Sequence, residues 1–158
     1  MLELAKAAVA AQTPLWVLGK PFGEHDPYAL RFFEVARQHP SLVRYEGAMS
    51  DRSRLAQIYR EARGFVLLST KESLSLSALE AAACECPLLL SDLPWARTVF
   101  KDRAWYCPAD ANVRKTALTL KQFYTAAPDF KPPPRPLGWR EVALQLKSIY
   151  EGLLKEPS

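Results

Sequence analysis

The chain has 158 residues, 49% of them hydrophobic and 24% charged, which is the composition of an ordinary globular domain. This composition excludes a disordered, collagen-like or disulfide-scaffold protein, and the length excludes two large domains within this chain. The net charge is +4, but the basic residues are scattered along the sequence, so we expect no nucleic-acid partner.

Helical segments and short apolar runs alternate along the chain. We predict strands from apolar runs bounded by glycine or proline, and helices from apolar residues spaced three and four apart. In chain order the predicted elements are a helix at Leu2–Ala11, a strand at Leu15–Leu18, a helix from Asp26 to Pro40, a strand at Leu42–Tyr45, a helix capped by Ser50 or Asp51 that ends before Gly64, a strand at Phe65–Leu68, a helix at Leu76–Cys84, a strand at Pro87–Leu90, a helix at Trp95–Phe100, a strand at Ala104–Cys107, a helix at Val113–Ala126, a proline-rich tether at 131–138 and a closing C-terminal helix.

Three details of these helices are specific enough to test. In the helix that begins at Asp26, we predict that Leu30, Phe33 and Ala36 lie on the buried side. Gly64 stands where the glycine after a helix end is expected. The last helix has an apolar stripe that is predicted to pack on the domain, formed by Trp139, Val142, Leu146, Ile149 and Leu153.

Short apolar strands that alternate with helices indicate an α/β fold, with a parallel sheet covered by helices on both faces. Ligands of such sheets bind beyond the carboxyl ends of the strands. In this sequence those ends are Gly19–Lys20, Gly47–Ala48, Ser69–Ser75 and Ser91–Asp92. The sequence therefore predicts a binding site built from these loops.

The cysteines and the apolar runs indicate the surroundings of the protein. Three cysteines without a secretory signal favour free thiols and a cytoplasmic location. The spacing of Cys84 and Cys86 is not that of a zinc site, so we expect no metal. The sequence contains no apolar run of about 18 residues that would span a membrane, and it leaves association with a membrane open.

Glu72 and Glu80 lie eight residues apart around a predicted strand end and the helix that follows it. The start of a helix offers free N–H groups and a positive dipole end, which suit a phosphate. Glu80 has mainly leucine and alanine neighbours, where a carboxylate needs a partner such as the hydroxyls of a ribose. The alternative is that Glu80 is an ordinary exposed helix residue.

The segment Leu74–Cys84, together with Pro87–Pro94, resembles the signature of GT-B glycosyltransferases of family 4, which use the glutamate pair seen here as Glu72 and Glu80. The similarity extends upstream to Tyr45–Gly47 and downstream to Gly138–Ala143. The resemblance implies a Rossmann-like fold, with residues 1–158 as the nucleotide-sugar-binding, C-terminal half of a retaining enzyme. One departure from the family is Glu85. The family usually has glycine at this position, and that glycine ends the helix.

The resemblance also implies roles for individual residues. Glu72 would lie at the reacting centre as the catalytic residue, and Glu80 would bind the ribose. The family carries an Arg and a Lys for the diphosphate on an upstream strand and loop, and Lys20 or Lys71 would substitute for them here. The remaining donor-binding residues would be Gly47 and Ala48 at the base, and Ser73, Leu74, Ser75 and Leu76 around the pyrophosphate and sugar. Members of the family generally need no metal or other cofactor.

The expected partners are a nucleotide-sugar and an N-terminal acceptor-binding domain, which this sequence does not include. Since the active site of such enzymes lies between the two halves, we expect the chain to be inactive alone. Two alternatives remain open. In the first, the chain would be a non-catalytic Rossmann-like module that binds a partner, and in the second it would be half of a UDP-sugar 2-epimerase.

Overall fold

Helices and parallel strands alternate in the computed structural model, which describes residues 1–21, 23 and 25–154. A 3-10 turn, Ala127–Asp129, follows the helix Val113–Ala126. In chain order the elements are α1 (Leu2–Ala11), β1 (Leu15–Leu18), α2 (Pro27–Gln38), β2 (Val43–Glu46), α3 (Arg52–Glu61), β3 (Phe65–Leu67), α4 (Leu76–Ala83), β4 (Leu88–Ser91), α5 (Pro94–Phe100), β5 (Trp105–Cys107), α6 (Val113–Ala126) and α7 (Trp139–Leu153). Each predicted helix and strand is therefore confirmed, with small shifts at its ends.

The strands form two parallel sheets rather than the single sheet that the sequence predicts. β1 pairs with β2, and β3, β4 and β5 pair in that order. α1 and α6 pack against each other. α1 contributes side chains to one buried cluster with the smaller sheet and to another with the larger sheet. The α/β class is confirmed, since every pairing is parallel and helices flank the strands.

β4 lies at the centre of the larger sheet and shows how the two helical layers are built. Leu88, Leu89 and Leu90 are fully buried, as expected for a strand covered on both faces. Leu88 and Leu90 belong to a cluster with α4 and α5, whereas Leu89 belongs to a cluster with α1 and α6. Alternate side chains therefore fill two cores, one on each face.

The buried face of α2 agrees only in part with the prediction, because two of the three predicted residues pack against the core and the third, Leu30, does not. Leu30 is 51% exposed, while Ala29 and Phe32 are buried. The rings of Phe33 and Tyr45 lie 5.0 Å apart and those of Phe32 and Tyr45 lie 5.8 Å apart. This aromatic cluster on β2 fixes the rotation of α2 and leaves Leu30 outside the core.

Gly64 is not the residue that follows the end of a helix. α3 ends at Glu61, and its cap residue Ala62 has an extended backbone. A Cβ atom on Gly64 would lie 2.5 Å from Cζ of Phe123. The glycine is therefore needed because α6 approaches the start of β3 closely.

The predicted packing of the last helix is wrong. α7 forms as expected, after residues 131–138 without regular secondary structure, but none of its residues is buried. Trp139 is 80% exposed, and Leu146, Ile149 and Leu153 are exposed as well. The stripe shows that the helix is amphipathic, but the described part of this chain supplies no surface that buries it. None of the described helices is long and apolar enough to cross a membrane.

Candidate functional site

The loops after β1 and β2 meet at the carboxyl edge of the smaller sheet. The N–H of Gly19 donates to the carbonyl of Gly47 at 2.9 Å, and the hydroxyl of Tyr45 donates to the carbonyl of Gly19 at 2.9 Å. Gly19 has φ of +141°, a conformation that side chains rarely adopt. These contacts place Gly47 and Ala48 beside Gly19, with Lys20 exposed.

The loop between β3 and α4 holds several of the predicted donor-binding residues on the surface. Lys71, Glu72, Ser73 and Leu74 are all exposed. Glu72 accepts a hydrogen bond from the N–H of Ser73 at 3.2 Å through one carboxylate oxygen. Its side chain is therefore open to solvent and to a ligand at this edge of the sheet.

Ser75 begins α4 and caps it. Its Oγ accepts from the N–H of Ala78 at 3.2 Å and shares a hydrogen bond with the Oγ of Ser77 at 2.9 Å. Because Ser75 is buried, its hydroxyl acts within the protein rather than on its surface. The N–H groups of Leu76 and Ser77 are the ones that a helix start leaves free for an anion.

Glu80 lies one turn into α4 and forms an ion pair that the sequence did not suggest. Nη1 of Arg52 lies 2.8 Å from Oε1 of Glu80, and the side chains are 78% and 41% exposed. The only signal in the sequence for this pair is that Arg52 directly follows Asp51, which caps α3, so that Arg52 is the first residue of that helix. Glu80 is therefore partly exposed, and its carboxylate pairs with an arginine instead of lying against an apolar face.

An open cavity of about 820 Å³ begins at this edge and runs between the two sheets. At the carboxyl edge its lining includes Gly19, Ala48, Ser77 and Glu80. The structure therefore brings together Ala48 and Glu80 among the predicted site residues. The other predicted residues lie around the cavity without lining it, in the loops and at the start of α4, and they are Lys20, Gly47, Lys71, Glu72, Ser73, Leu74, Ser75 and Leu76.

Tyr59 of α3 is a half-buried neighbour of this cluster. Burial raises the pKa of its hydroxyl to about 12, and the negative charge of Glu80 acts in the same direction. Tyr59 also lines the cavity. It therefore stays neutral at physiological pH and forms part of the wall below Glu80. Among the described residues there is no group of three or more His, Cys, Asp or Glu side chains that would hold a metal ion.

Comparison with solved structures shows the same fold. Sucrose-phosphate synthase from Thermosynechococcus elongatus matches 97% of this chain with a TM-score of 0.69 and 20% identity, over 42% of its own length. The pneumococcal O-GlcNAc transferase GtfA, solved with UDP and GlcNAc, matches 98% of this chain with a TM-score of 0.68 and 20% identity, over 33% of its length. The Anabaena protein HepE, solved with UDP-glucose, matches 98% of this chain with a TM-score of 0.62 and 15% identity, over 44% of its length.

Comparison with known sequences gives the family. The serotype-specific mannosyltransferase WbdA of Escherichia coli is 28% identical over an alignment of 111 residues, and the match covers 65% of this chain and 14% of WbdA. The chain thus spans less than half the length of the relatives it matches. Residues 1–125 match the family described as glycosyl transferases group 1. Since this match covers most of the sequence, the chain belongs to the glycosyl transferases group 1 family.

Proposed function

We propose that this chain is the donor-binding, C-terminal half of a retaining glycosyltransferase of family 4, and that it binds a nucleotide-sugar at the carboxyl edge of its sheets. The observation that carries this proposal is the position of Glu80, whose carboxylate and Ala48 line one cavity beside the start of α4. Structures that share the fold are described with UDP or UDP-glucose, which supports a nucleotide-sugar as the ligand.

Each part of the nucleotide has a matching group at this edge. The carboxylate of Glu80 is an acceptor for the hydroxyls of the ribose, and Gly47 with Ala48 leaves room for the base. The free N–H groups of Leu76 and Ser77 and the positive end of α4 suit the diphosphate. The backbone at Ser73–Leu76 would hold the pyrophosphate and the sugar, so the donor would lie along the β3–α4 loop.

The chemistry would take place at the outer end of the donor, beside Glu72. The bond between the anomeric carbon and the diphosphate would break, a bond to the oxygen of an acceptor hydroxyl would form on the same face of the sugar, and the proton of that hydroxyl would pass to the leaving diphosphate. Fixed donors that meet the growing charge of the leaving diphosphate lower the barrier. Here those donors would be the start of α4 and Lys20 or Lys71, so we propose that no metal is required. Because the acceptor would bind to another domain, we expect no transfer by this chain alone.

Calorimetric titration of the chain with UDP, GDP and ADP tests this proposal. We expect one nucleotide to bind, equally well with and without EDTA. Glu80→Ala should weaken binding by roughly 10- to 100-fold, because a hydrogen bond to a charged group contributes about 1.5–3 kcal/mol.

Glu34→Ala is the matched control. Glu34 also pairs with an arginine, Arg37, at 2.7 Å and has a side chain that is 48% exposed, but it lies on α2, away from the cavity. If Glu34→Ala and Glu80→Ala weaken nucleotide binding equally, or if neither changes it, the placement of the ribose at Glu80 is refuted. If no nucleotide binds at millimolar concentration, the non-catalytic module becomes the better interpretation.

A further inference from the structure

The segment between the 3-10 turn and α7 is a stiff piece of backbone. Prolines make up four of the six positions of residues 131–136, which we call the strap. Each proline ring fixes its own φ at about −65°, and each residue before a proline is restricted to extended backbone. Phe130, directly before the strap, is extended already, with φ of −79° and ψ of 126°. These restrictions favour the polyproline II conformation, which has three residues per turn.

The burial of the strap follows this period of three. Pro133 is buried and Pro136 is half-buried, so one ridge of the strap lies against the domain. At the start of the strap, the ring of Phe130 lies 6.0 Å from the ring of Trp105 in β5. The other two ridges face solvent, and their residues are Lys131, Pro132, Pro134 and Arg135. The strap therefore packs on the domain along one side only.

Arg103 is the side chain of the domain that reaches the backbone of the strap. Its Nη2 donates a hydrogen bond to the carbonyl of Pro132. Prolines offer carbonyl acceptors and no N–H donors, whereas a guanidinium offers donors only, so the two groups are chemically complementary. The Nε atom of Arg103 is buried. Burial shields this part of the side chain from water, which strengthens a hydrogen bond.

The turn that carries Arg103 is itself tied to the larger sheet. The N–H of Arg103 donates to the carbonyl of Phe100 at 2.8 Å and closes a turn after α5. The hydroxyl of Tyr106, a residue of β5, donates to the carbonyl of Lys101 within that turn at 2.7 Å. The guanidinium therefore extends from a point that β5 holds in place.

The other end of the strap leads directly into α7. Two residues, Leu137 and Gly138, separate Pro136 from the start of this helix. The N–H of Gly138 donates to Oε2 of Glu141 at 2.7 Å, which ties the first turn of α7 to the residue before it. Because no residue of α7 is buried, the place of the helix depends on the strap more than on its own side chains.

We infer that Arg103 is a positioning residue that clamps the strap to the domain and thereby fixes the point from which α7 starts. α7 is then a positioned helix and does not swing on a flexible linker. A helix that starts from a fixed point presents its apolar stripe in one place, so a partner that covers the stripe would not have to order the helix first. The inference goes beyond the proposed function, because it does not depend on nucleotide binding.

Residual dipolar couplings of the full chain test this inference, since they report how far α7 moves relative to the sheet. The measured quantity is the degree of alignment of the α7 amides divided by that of the amides in β3, β4 and β5. We expect a ratio of about 0.85 or more in the wild-type chain and below about 0.6 in Arg103→Met, which keeps the length of the side chain but removes its donors. The matched control is Arg114→Met, at an exposed position on α6, which should keep the wild-type ratio.

A second pair of variants tests the strap itself and serves if Arg103→Met does not fold. Pro133→Ala removes a ring from the buried ridge, and Pro134→Ala removes a ring from an exposed ridge. Both changes remove one proline, so they relax the backbone to the same degree. We expect only Pro133→Ala to lower the ratio, because only this change loosens the contact between the strap and the domain.

Three results would overturn the inference. One is a ratio below about 0.6 in the wild-type chain. Another is an unchanged ratio in folded Arg103→Met, or equal ratios in Pro133→Ala and Pro134→Ala. The third is a wild-type ratio that rises with protein concentration, because a second copy of the chain, and not the strap, would then hold α7.

Discussion

Arg52 and Glu80 join α3 to α4 through an ion pair of 2.8 Å at the carboxyl edge of the sheets. Both side chains are well exposed, so the pair contributes at most about 1 kcal/mol to stability. Its position matters more than its strength, because one of the two carboxylate oxygens that a ribose would use already accepts a hydrogen bond from Arg52. Arg52 therefore competes with the proposed ligand for Glu80.

Replacing Arg52 tests this competition. We expect Arg52→Ala to raise nucleotide affinity by up to roughly fivefold, since displacing an exposed pair costs about 1 kcal/mol or less. The free energy of unfolding should change by less than about 1 kcal/mol. Calorimetric titration and urea unfolding measure the two quantities. A loss of affinity would show instead that Arg52 contacts the nucleotide directly, and Arg37→Ala on α2 controls for the general loss of positive charge.

The resemblance implies a donor contact through the backbone of Ser75, and in the structure the side chain of Ser75 caps α4. Removing such a cap costs about 1 kcal/mol, within a range of about 0.5–2 kcal/mol. We therefore expect Ser75→Ala to lower the free energy of unfolding by this amount, while Ser75→Thr keeps most of the stability. Ser73→Ala, at an exposed position in the same loop, should have almost no effect on urea unfolding. Equal losses at the two serines would contradict the role of Ser75 as a cap.

The sequence predicted the elements well because their boundaries are marked by local chemistry. Asp26 with Pro27 starts α2, and of Ser50 and Asp51, either of which the sequence allows as the cap of α3, the structure has Asp51. The faces of helices were harder to predict. Leu30 fits the spacing of an apolar face as well as Ala29 does, and only the contact of Phe32 with Tyr45 decides between them.

Relations between distant elements could not be predicted from local patterns. Glu80 was identified from its motif, but its partner Arg52 depends on how α3 and α4 lie side by side. The strands were found correctly, yet their periodicity does not show that β1 and β3 do not pair and that a cavity lies between them. For the same reason, the apolar stripe of α7 predicted that a helix forms but did not show which surface covers that stripe.

Tyr59 gives a pH dependence of stability that can be measured. Burial raises the pKa of its hydroxyl from its ordinary value of 10 to about 12. Between these values the folded protein keeps a proton that the unfolded chain has lost, so stability falls as the pH rises through this window. Tyr59→Phe should remove that part of the fall. Urea midpoints at about pH 9 and about pH 11 measure the difference.

The matched control for this change is Tyr150→Phe, because Tyr150 is 61% exposed on α7 and should leave the alkaline slope unchanged. Burial also raises the pKa of Cys86 to about 12, so the Tyr59→Phe variant should still lose some stability above about pH 9. An identical slope in the wild-type chain and in Tyr59→Phe would show that Tyr59 does not titrate as its environment indicates.

Glu85 holds a backbone conformation at the end of α4 that glycine adopts more readily. Its φ is +59°, and two bonds of 3.0 Å close the helix end around it, from the N–H of Glu85 to Ala82 and from the N–H of Cys86 to Ala81. This is the Schellman arrangement, whose left-handed residue is usually glycine. A side chain in this region costs about 1–2 kcal/mol, which the greater flexibility of glycine in the unfolded chain partly offsets.

We therefore expect Glu85→Gly to stabilise the protein by roughly 1 kcal/mol, or about 2–4 °C in Tm for a chain of this size. Thermal unfolding of Glu85→Ala separates conformation from charge, since alanine removes the carboxylate but keeps the Cβ atom. If alanine raises the Tm as much as glycine does, the gain comes from the charge of Glu85 and not from its backbone. If only glycine raises it, the glutamate is a strained residue that the bonds to Ala81 and Ala82 hold in place.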